Sequence, residues 1–134
     1  MTNDELIEHA SAALRPHDGP GHRLFGDVAA ALISETGRLY TGVCIDTASW
    51  GLCAERSAIA AMSTAGEYRI HRIVAVWRDE RDGRLSVLPP CGICREFMRQ
   101  IDDRNLSTEV VLGRERHATL AALLPEHDWP AALD

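Results

Sequence analysis

The sequence predicts an α/β fold in which a mixed sheet is covered by helices on both faces. Three observations carry this expectation. Helical and strand-like patterns alternate along the chain. The run Ile73–Trp77 (IVAVW) is continuously apolar, as in a strand buried on both sides. A hairpin pattern precedes the second helix. In order, Thr2 and Glu5 have capping-box spacing, and Leu6, Ala10, Ala13 and Leu14 share one helical face. Pro16 and Gly19-Pro20-Gly21 end that helix. Asp27–Ile33 (DVAAALI) and Leu39–Ile45 (LYTGVCI) flank Ser-Glu-Thr-Gly-Arg, a hairpin with Gly37 in its turn. A second helix starts near Cys53, with Ala54, Ala58, Ala61, Met62 and Ala65 at helical spacing and Gly66 as its stop. After Ile73–Trp77 come the Asp82-Gly83 turn, Leu85–Leu88, and a third helix over Gly92–Ile101 whose apolar side is Ile93, Phe97, Met98 and Ile101. Thr108–Leu112 is a further strand, one more is expected near residues 114–117, and Thr119–Leu124 begins a terminal helix before Pro125.

With 134 residues and 46% hydrophobic content, the chain has the length and apolar content of one domain, residues 1–134. A net charge of −6 and the lack of a basic stripe predict no nucleic-acid polymer as partner. No apolar run is long enough to predict a membrane span. The acidic start MTNDELIEHA does not resemble a signal peptide, so the expected location is cytoplasmic. All the basic residues are arginine, which excludes Schiff-base lysine chemistry and a Walker lysine. In such a chain Cys44, Cys53, Cys91 and Cys94 point to metal binding or redox chemistry before disulfides.

Cys91-Gly92-Ile93-Cys94 is a Cys-x-x-Cys pair following Pro90, and Cys53-Ala54-Glu55-Arg56 adds a third thiol with a carboxylate two residues on. Catalytic zinc sites keep three protein ligands and leave the fourth position to water, whereas structural sites close with four. Zinc lowers the pKa of that water to about 7. Glu55 then supplies the base that takes a proton and returns it to substrate, the division of labour known in zinc deaminases. Both ligand segments should open helices, whose N-termini favour thiolates. Residues two apart point in different directions on a helix, so Cys53 and Glu55 can share a site only at its start. Three thiolates outweigh the zinc charge, and Arg56, three residues from Cys53, is placed to offset the excess.

At these residues the chain resembles the cytidine deaminase superfamily, specifically its small single-domain members. Val28-Ala29-Ala30-Ala31-Leu32 resembles the family's first core strand and Thr41-Gly42-Val43 its second. Ala48-Ser49-Trp50-Gly51-Leu52 resembles the loop leading to Cys-Ala-Glu-Arg, Pro90-Cys91-Gly92-Ile93-Cys94-Arg95 the second metal segment, and Leu123-Leu124-Pro125 with Trp129 the C-terminal end. The resemblance implies a three-layer α/β/α fold around a mixed five-stranded sheet, one zinc per chain, a small aminopyrimidine substrate, and a homotetramer (or a dimer) in which neighbouring subunits complete each pocket. It also implies that the Ala54 backbone amide contacts the pyrimidine carbonyl oxygen and that Glu55 protonates a ring nitrogen before ammonia leaves.

Two departures bear on the substrate. Nucleoside deaminases place Asn and Glu on the second strand to hold the ribose, where this chain has Cys44 and Asp46. Asp46 keeps an acceptor on a shorter arm, and Cys44 is a poor replacement for an amide. The loop before Cys53 is shorter than the nucleoside-deaminase pattern and is similar to that of blasticidin S deaminases. A modified nucleoside or a free base therefore stands beside cytidine as substrate. Cys44 is also open to reading as a core residue or as a fourth zinc ligand. Trp50 and Trp129 are candidates to pack on substrate, with ordinary packing the alternative for Trp50, and Trp77 belongs to the core. His22, His71, His117 and His127 lack ligand spacing to the cysteines and read as surface residues. Two rivals come from other classes: a thioredoxin-like redox protein built on Cys-x-x-Cys, and a non-catalytic zinc module. Neither gives Glu55 a task.

Overall fold

The computed structural model describes residues 1–128 and 130–134. Helix α1 (Asn3–Ala13) opens with the expected capping box: Thr2 accepts from the Glu5 amide, and Glu5 accepts from the Thr2 amide at 2.7 Å. A short antiparallel pair, β1 (His17–Asp18) and β2 (Leu24–Phe25), leads to the hairpin β3 (Val28–Ser34) and β4 (Leu39–Val43). Then follow α2 (Ala54–Thr64), β5 (Ile70–Arg78), β6 (Leu85–Leu88), α3 (Gly92–Ile101), β7 (Glu109–Gly113), β8 (Arg116–Thr119) and α4 (Leu120–Leu123).

The main sheet has the order β4-β3-β5-β7-β8, with β6 paired to β5. Only β5 and β7 run parallel among these pairs, so the sheet is mixed as expected. It holds six strands where five were expected. The extra one is Leu85–Leu88, and its place follows from the length of β5. β7 pairs with Arg72 and Ile73 near the start of β5, which leaves the stretch from Ala75 to Arg78 free to pair with β6.

Strand β3 shows no polar alternation, because helices cover both of its faces. On one side Leu6, Ile7, Ala10 and Leu14 pack on Ala29, Ala31, Ile33, Val74 and Val76. On the other, Ala58, Ile59 and Met62 of α2 and Met98 of α3 pack on Ala30, Leu32, Ile73, Ala75 and Val110. Helix α2 lies so close to β4 that a Cβ on Gly42 would sit 2.4 Å from the Ala58 amide nitrogen. This close seat fixes where α2 begins, and therefore where Cys53 and Glu55 stand.

Candidate active site

Cys53 is the N-cap of α2 and Cys91 the N-cap of α3, both with extended backbone, and Cys94 lies in the first turn of α3. The two helix starts meet. Cys91 Sγ is 3.6 Å from Cys53 Sγ and 3.5 Å from Cys94 Sγ, and all three sulfurs lie within 4.8 Å of one another. A tetrahedral zinc with Zn–S bonds of ~2.3 Å separates its sulfurs by about 3.8 Å. The spacing fits that ion, and the cysteines are unpaired. Cys44 does not join them. Its thiol donates to Asp27 Oδ1 at 3.3 Å, and burial pushes its pKa up.

The thiols stand in unequal fields. Burial, then the Glu55 charge, pushes Cys94 far up. Burial also pushes on Cys91, but hydrogen bonds with the Cys94 and Ile93 amides and the neighbouring thiols outweigh it and bring this thiol down. A cation among the three sulfurs would favour all three thiolates. Arg56 approaches from behind: its Nη2 donates to the Gly51 carbonyl at 3.3 Å and to Cys53 Sγ at 3.7 Å. Its Nε is buried without a partner among the described residues. This orphaned donor beside a thiol cluster is a second mark of a site built for anionic sulfur.

Glu55 is the second residue of α2 and is only 6% exposed. Because Cys53 is a cap with non-helical backbone, the two residues share one cavity despite their spacing. That cavity, about 180 Å³, is lined by Val28, Cys44, Asp46, Cys53, Ala54, Glu55, Leu88, Pro89 and Cys91. Burial raises the Glu55 pKa, while its own backbone amide and Arg56 pull it back. A larger groove of about 570 Å³ lies along α1 against Met1, Glu5, Glu8, His9 and Ala12, but gathers no thiol.

The cavity brings together Cys53, Cys91, Glu55, Ala54, Cys44 and Asp46, with Cys94 and Arg56 behind. Trp50 is 96% exposed on a left-handed backbone (φ 70°) and is not among the lining residues. Trp129 lies outside the described residues. His22, His71 and His117 are exposed, and His127 is half-buried with Nδ1 2.9 Å from the Leu124 carbonyl oxygen. Two residues are new to the site. Asp27 forms a second cluster with Cys44 and Asp46, their ligand atoms lying within 4.8 Å of one another. Arg95 donates to the Pro90 carbonyl at 2.8 Å and to the Leu123 carbonyl at 3.0 Å, so it pins the backbone just before Cys91 to α4. Asp27 had a signal in the sequence: counting back along the hairpin from its turn puts it level with Cys44–Asp46.

A redox dithiol would need only the 3.5 Å pair Cys91–Cys94, and leaves Cys53 and the buried Glu55 unexplained. Comparison with known proteins points the same way as the geometry. The family described as the cytidine and deoxycytidylate deaminase zinc-binding region matches residues 2–110. A cytidine deaminase of Halalkalibacterium halodurans is 34% identical over 131 residues, 93% of this chain and 92% of that protein. A blasticidin-S deaminase of Bacillus cereus is 36% identical over 76 residues, 53% of this chain and 54% of that protein. In other relatives the match also spans about half the length, as in the probable cytidine deaminase of Dictyostelium discoideum, at 50%. The crystal structure of cytidine deaminase from Mycobacterium leprae superposes with a TM-score of 0.73 at 30% identity, covering 94% of this chain and all of that one. The chain therefore belongs to the cytidine and deoxycytidylate deaminase family, zinc-dependent hydrolases acting on carbon–nitrogen bonds.

Proposed function

We propose that this protein hydrolytically deaminates an aminopyrimidine, a cytosine-type nucleoside or nucleobase, releasing ammonia. The observation that carries the reading is Glu55, a carboxyl buried at the start of α2 and lining the same cavity as Cys53 and Cys91. Cys53, Cys91 and Cys94 would hold one zinc per chain. The chemistry zinc supplies when bound is a water whose pKa falls to about 7. Glu55, lining the same cavity, would hold a proton on its carboxylate and pass it to the ring nitrogen. A carboxyl raised by burial suits the task, since it can both hold a proton and give it back. The Ala54 amide, at a helix start without an intrahelical partner, orients the ring carbonyl oxygen. Cys44 and Asp46 meet the group attached to the ring. Trp50 (96% exposed), Ile93 and Phe97 support a homotetramer that covers them, and four unpaired cysteines support a cytoplasmic setting.

The test is ammonia release by zinc-loaded protein over cytidine, deoxycytidine, cytosine, modified cytosines and blasticidin S. Glu55→Gln should keep about one zinc per chain and lose activity by roughly 10²-fold or more. Activity surviving in that variant removes Glu55 from the chemistry. A solution mass measurement decides the tetramer.

A further inference from the structure

Cys53 and Cys91 cap their helices in the same way but are held by different means. The residue before Cys53 is laddered to the end of the hairpin. Leu52 donates its amide to the Ile45 carbonyl at 2.8 Å and accepts the Ile45 amide at 2.9 Å. The residues before Cys91 are Pro89 and Pro90, which follow Leu88, the last paired residue of β6. Neither proline has a backbone N–H that could extend a ladder. Arg95 takes the ladder's place. Its backbone amide donates to the Cys91 carbonyl at 3.0 Å, its Nε to the Pro90 carbonyl at 2.8 Å and its Nη1 to the Leu123 carbonyl at 3.0 Å. The two peptide groups that flank the Cys91 α-carbon are therefore both held by one residue, which fastens them to α4.

Among the described residues, Arg95 makes no hydrogen bond to a sulfur and no ion pair with a carboxylate. Its bonds go to carbonyls, so what it supplies is geometry. Helix α4 is itself anchored: Thr119 accepts the Ala122 amide at 3.2 Å, the Leu120 amide donates to the Thr108 carbonyl at 3.0 Å, and Leu120 is fully buried. Without the Arg95 side chain the Pro90 peptide is free to turn. Turning it moves the Cys91 sulfur against Cys53, and moves Leu88 and Pro89, which line the cavity beside Glu55.

Resting on the zinc-deaminase reading of this site, we propose that Arg95 is a positioning residue. It acts through the Pro90 peptide to set where the Cys91 sulfur and the Leu88-Pro89 wall stand, and α4 is the brace it works from.

The experiment uses the full chain loaded with zinc and, in parallel, with cobalt(II), whose thiolate charge-transfer and d–d bands report its sulfur ligands and their geometry. Arg95→Met keeps the stem and removes both side-chain donors. It should release zinc to a colorimetric chelator at least about tenfold faster than wild type, and weaken and shift the cobalt bands. Arg95→Lys returns the charge but not two donors fixed in a fork, so it should stay nearer to Arg95→Met than to wild type. Thr119→Ala loosens α4 with Arg95 and every thiol in place. It should speed release alone but add little in the Arg95→Met background, since both break one tie. Glu67→Gln, which removes the ties to Thr36 and Tyr40 instead, should keep the wild-type release rate and cobalt spectrum.

Wild-type release and spectrum in Arg95→Met overturn the inference. Full recovery in Arg95→Lys, or equal acceleration in Glu67→Gln, overturns it too. If Arg95→Met does not fold, Thr119→Ala decides: faster release with altered cobalt bands supports the brace, and wild-type behaviour overturns it. Ammonia release separates the two readings. If the wild type holds zinc and deaminates no aminopyrimidine while the Arg95→Met effect persists, deamination is wrong and the Arg95 tie is supported. An active wild type with an unaltered Arg95→Met protein gives the reverse, and a wild type that binds neither ion overturns both.

Discussion

Arg56 is held between the Gly51 carbonyl and the Cys53 sulfur, with a buried Nε that has no partner among the described residues. Three thiolates around a divalent ion leave one excess negative charge, which makes a bound water less acidic. Removing the guanidinium in Arg56→Ala should move the rising, acid-side limb of the pH–rate profile to higher pH. It should also speed zinc loss to a chelator. Arg56→Lys returns the charge but not the planar fork, so it should recover the pH profile better than the zinc retention. An Arg56→Ala protein with an unaltered profile and chelation rate would dispose of this role. Cys53, Glu55 and Arg56 were legible in the sequence because their relations run along one helix start, where spacing alone places side chains. Asp27 is not legible from local spacing, because its neighbours lie across a hairpin and emerge only when the register is counted. The direction of Trp50 was not legible at all, since no periodicity governs a loop residue at φ 70°.

At the scale of elements, the site depends on how tightly α2 and α3 are seated. Gly42 lets α2 lie against β4, and a methyl group there would meet the Ala58 nitrogen at 2.4 Å and the Ser57 carbonyl carbon at 2.7 Å. Both contacts are with backbone, so the helix must shift. Gly42→Ala should cost about 1–3 kcal/mol in urea unfolding and weaken zinc retention together. Asn105, fully buried, receives the Ile70 amide at 2.8 Å and donates to the Tyr68 and Met98 carbonyls at 2.9 Å, joining the end of α3 to the start of β5. Asn105→Ala leaves these groups unpaired in the interior and should lower stability by roughly 2 kcal/mol or more. A third tie is titratable. Thr36 and Tyr40 donate to Glu67, which holds its carboxyl below the usual range and links the β3–β4 hairpin to the chain after α2. Stability from a lowered carboxyl is present above its unfolded pKa and is lost as pH falls through the folded one. Glu67→Gln should therefore melt below the wild type at neutral pH, with the gap closing in acid. The helices and the hairpin could be read from local periodicity and turn residues. Strand β6 could not, because four half-buried residues become a strand only when the free stretch of β5 is there to pair with them.

For the whole molecule, the thiol cluster is a cross-link as well as a site. Cys53 belongs to the start of α2 and Cys91 and Cys94 to the start of α3, two helices that have little direct contact and otherwise communicate through the sheet. An ion bound by all three thiolates in the folded state alone stabilises that state by mass action, by about 2.7 kcal/mol when free zinc stands at 100 times its Kd. Thermal unfolding followed against buffered zinc should then show a Tm that rises with the logarithm of free zinc and falls on chelation. Cys94→Ser should flatten that response, since Cys94 is the buried member of the trio. Cys44→Ser should leave it in place, since the Cys44 thiol is turned to Asp27. A zinc response lost in Cys44→Ser but kept in Cys94→Ser would move the metal to the Asp27–Cys44–Asp46 cluster, and the catalytic reading of Glu55 would fall with it.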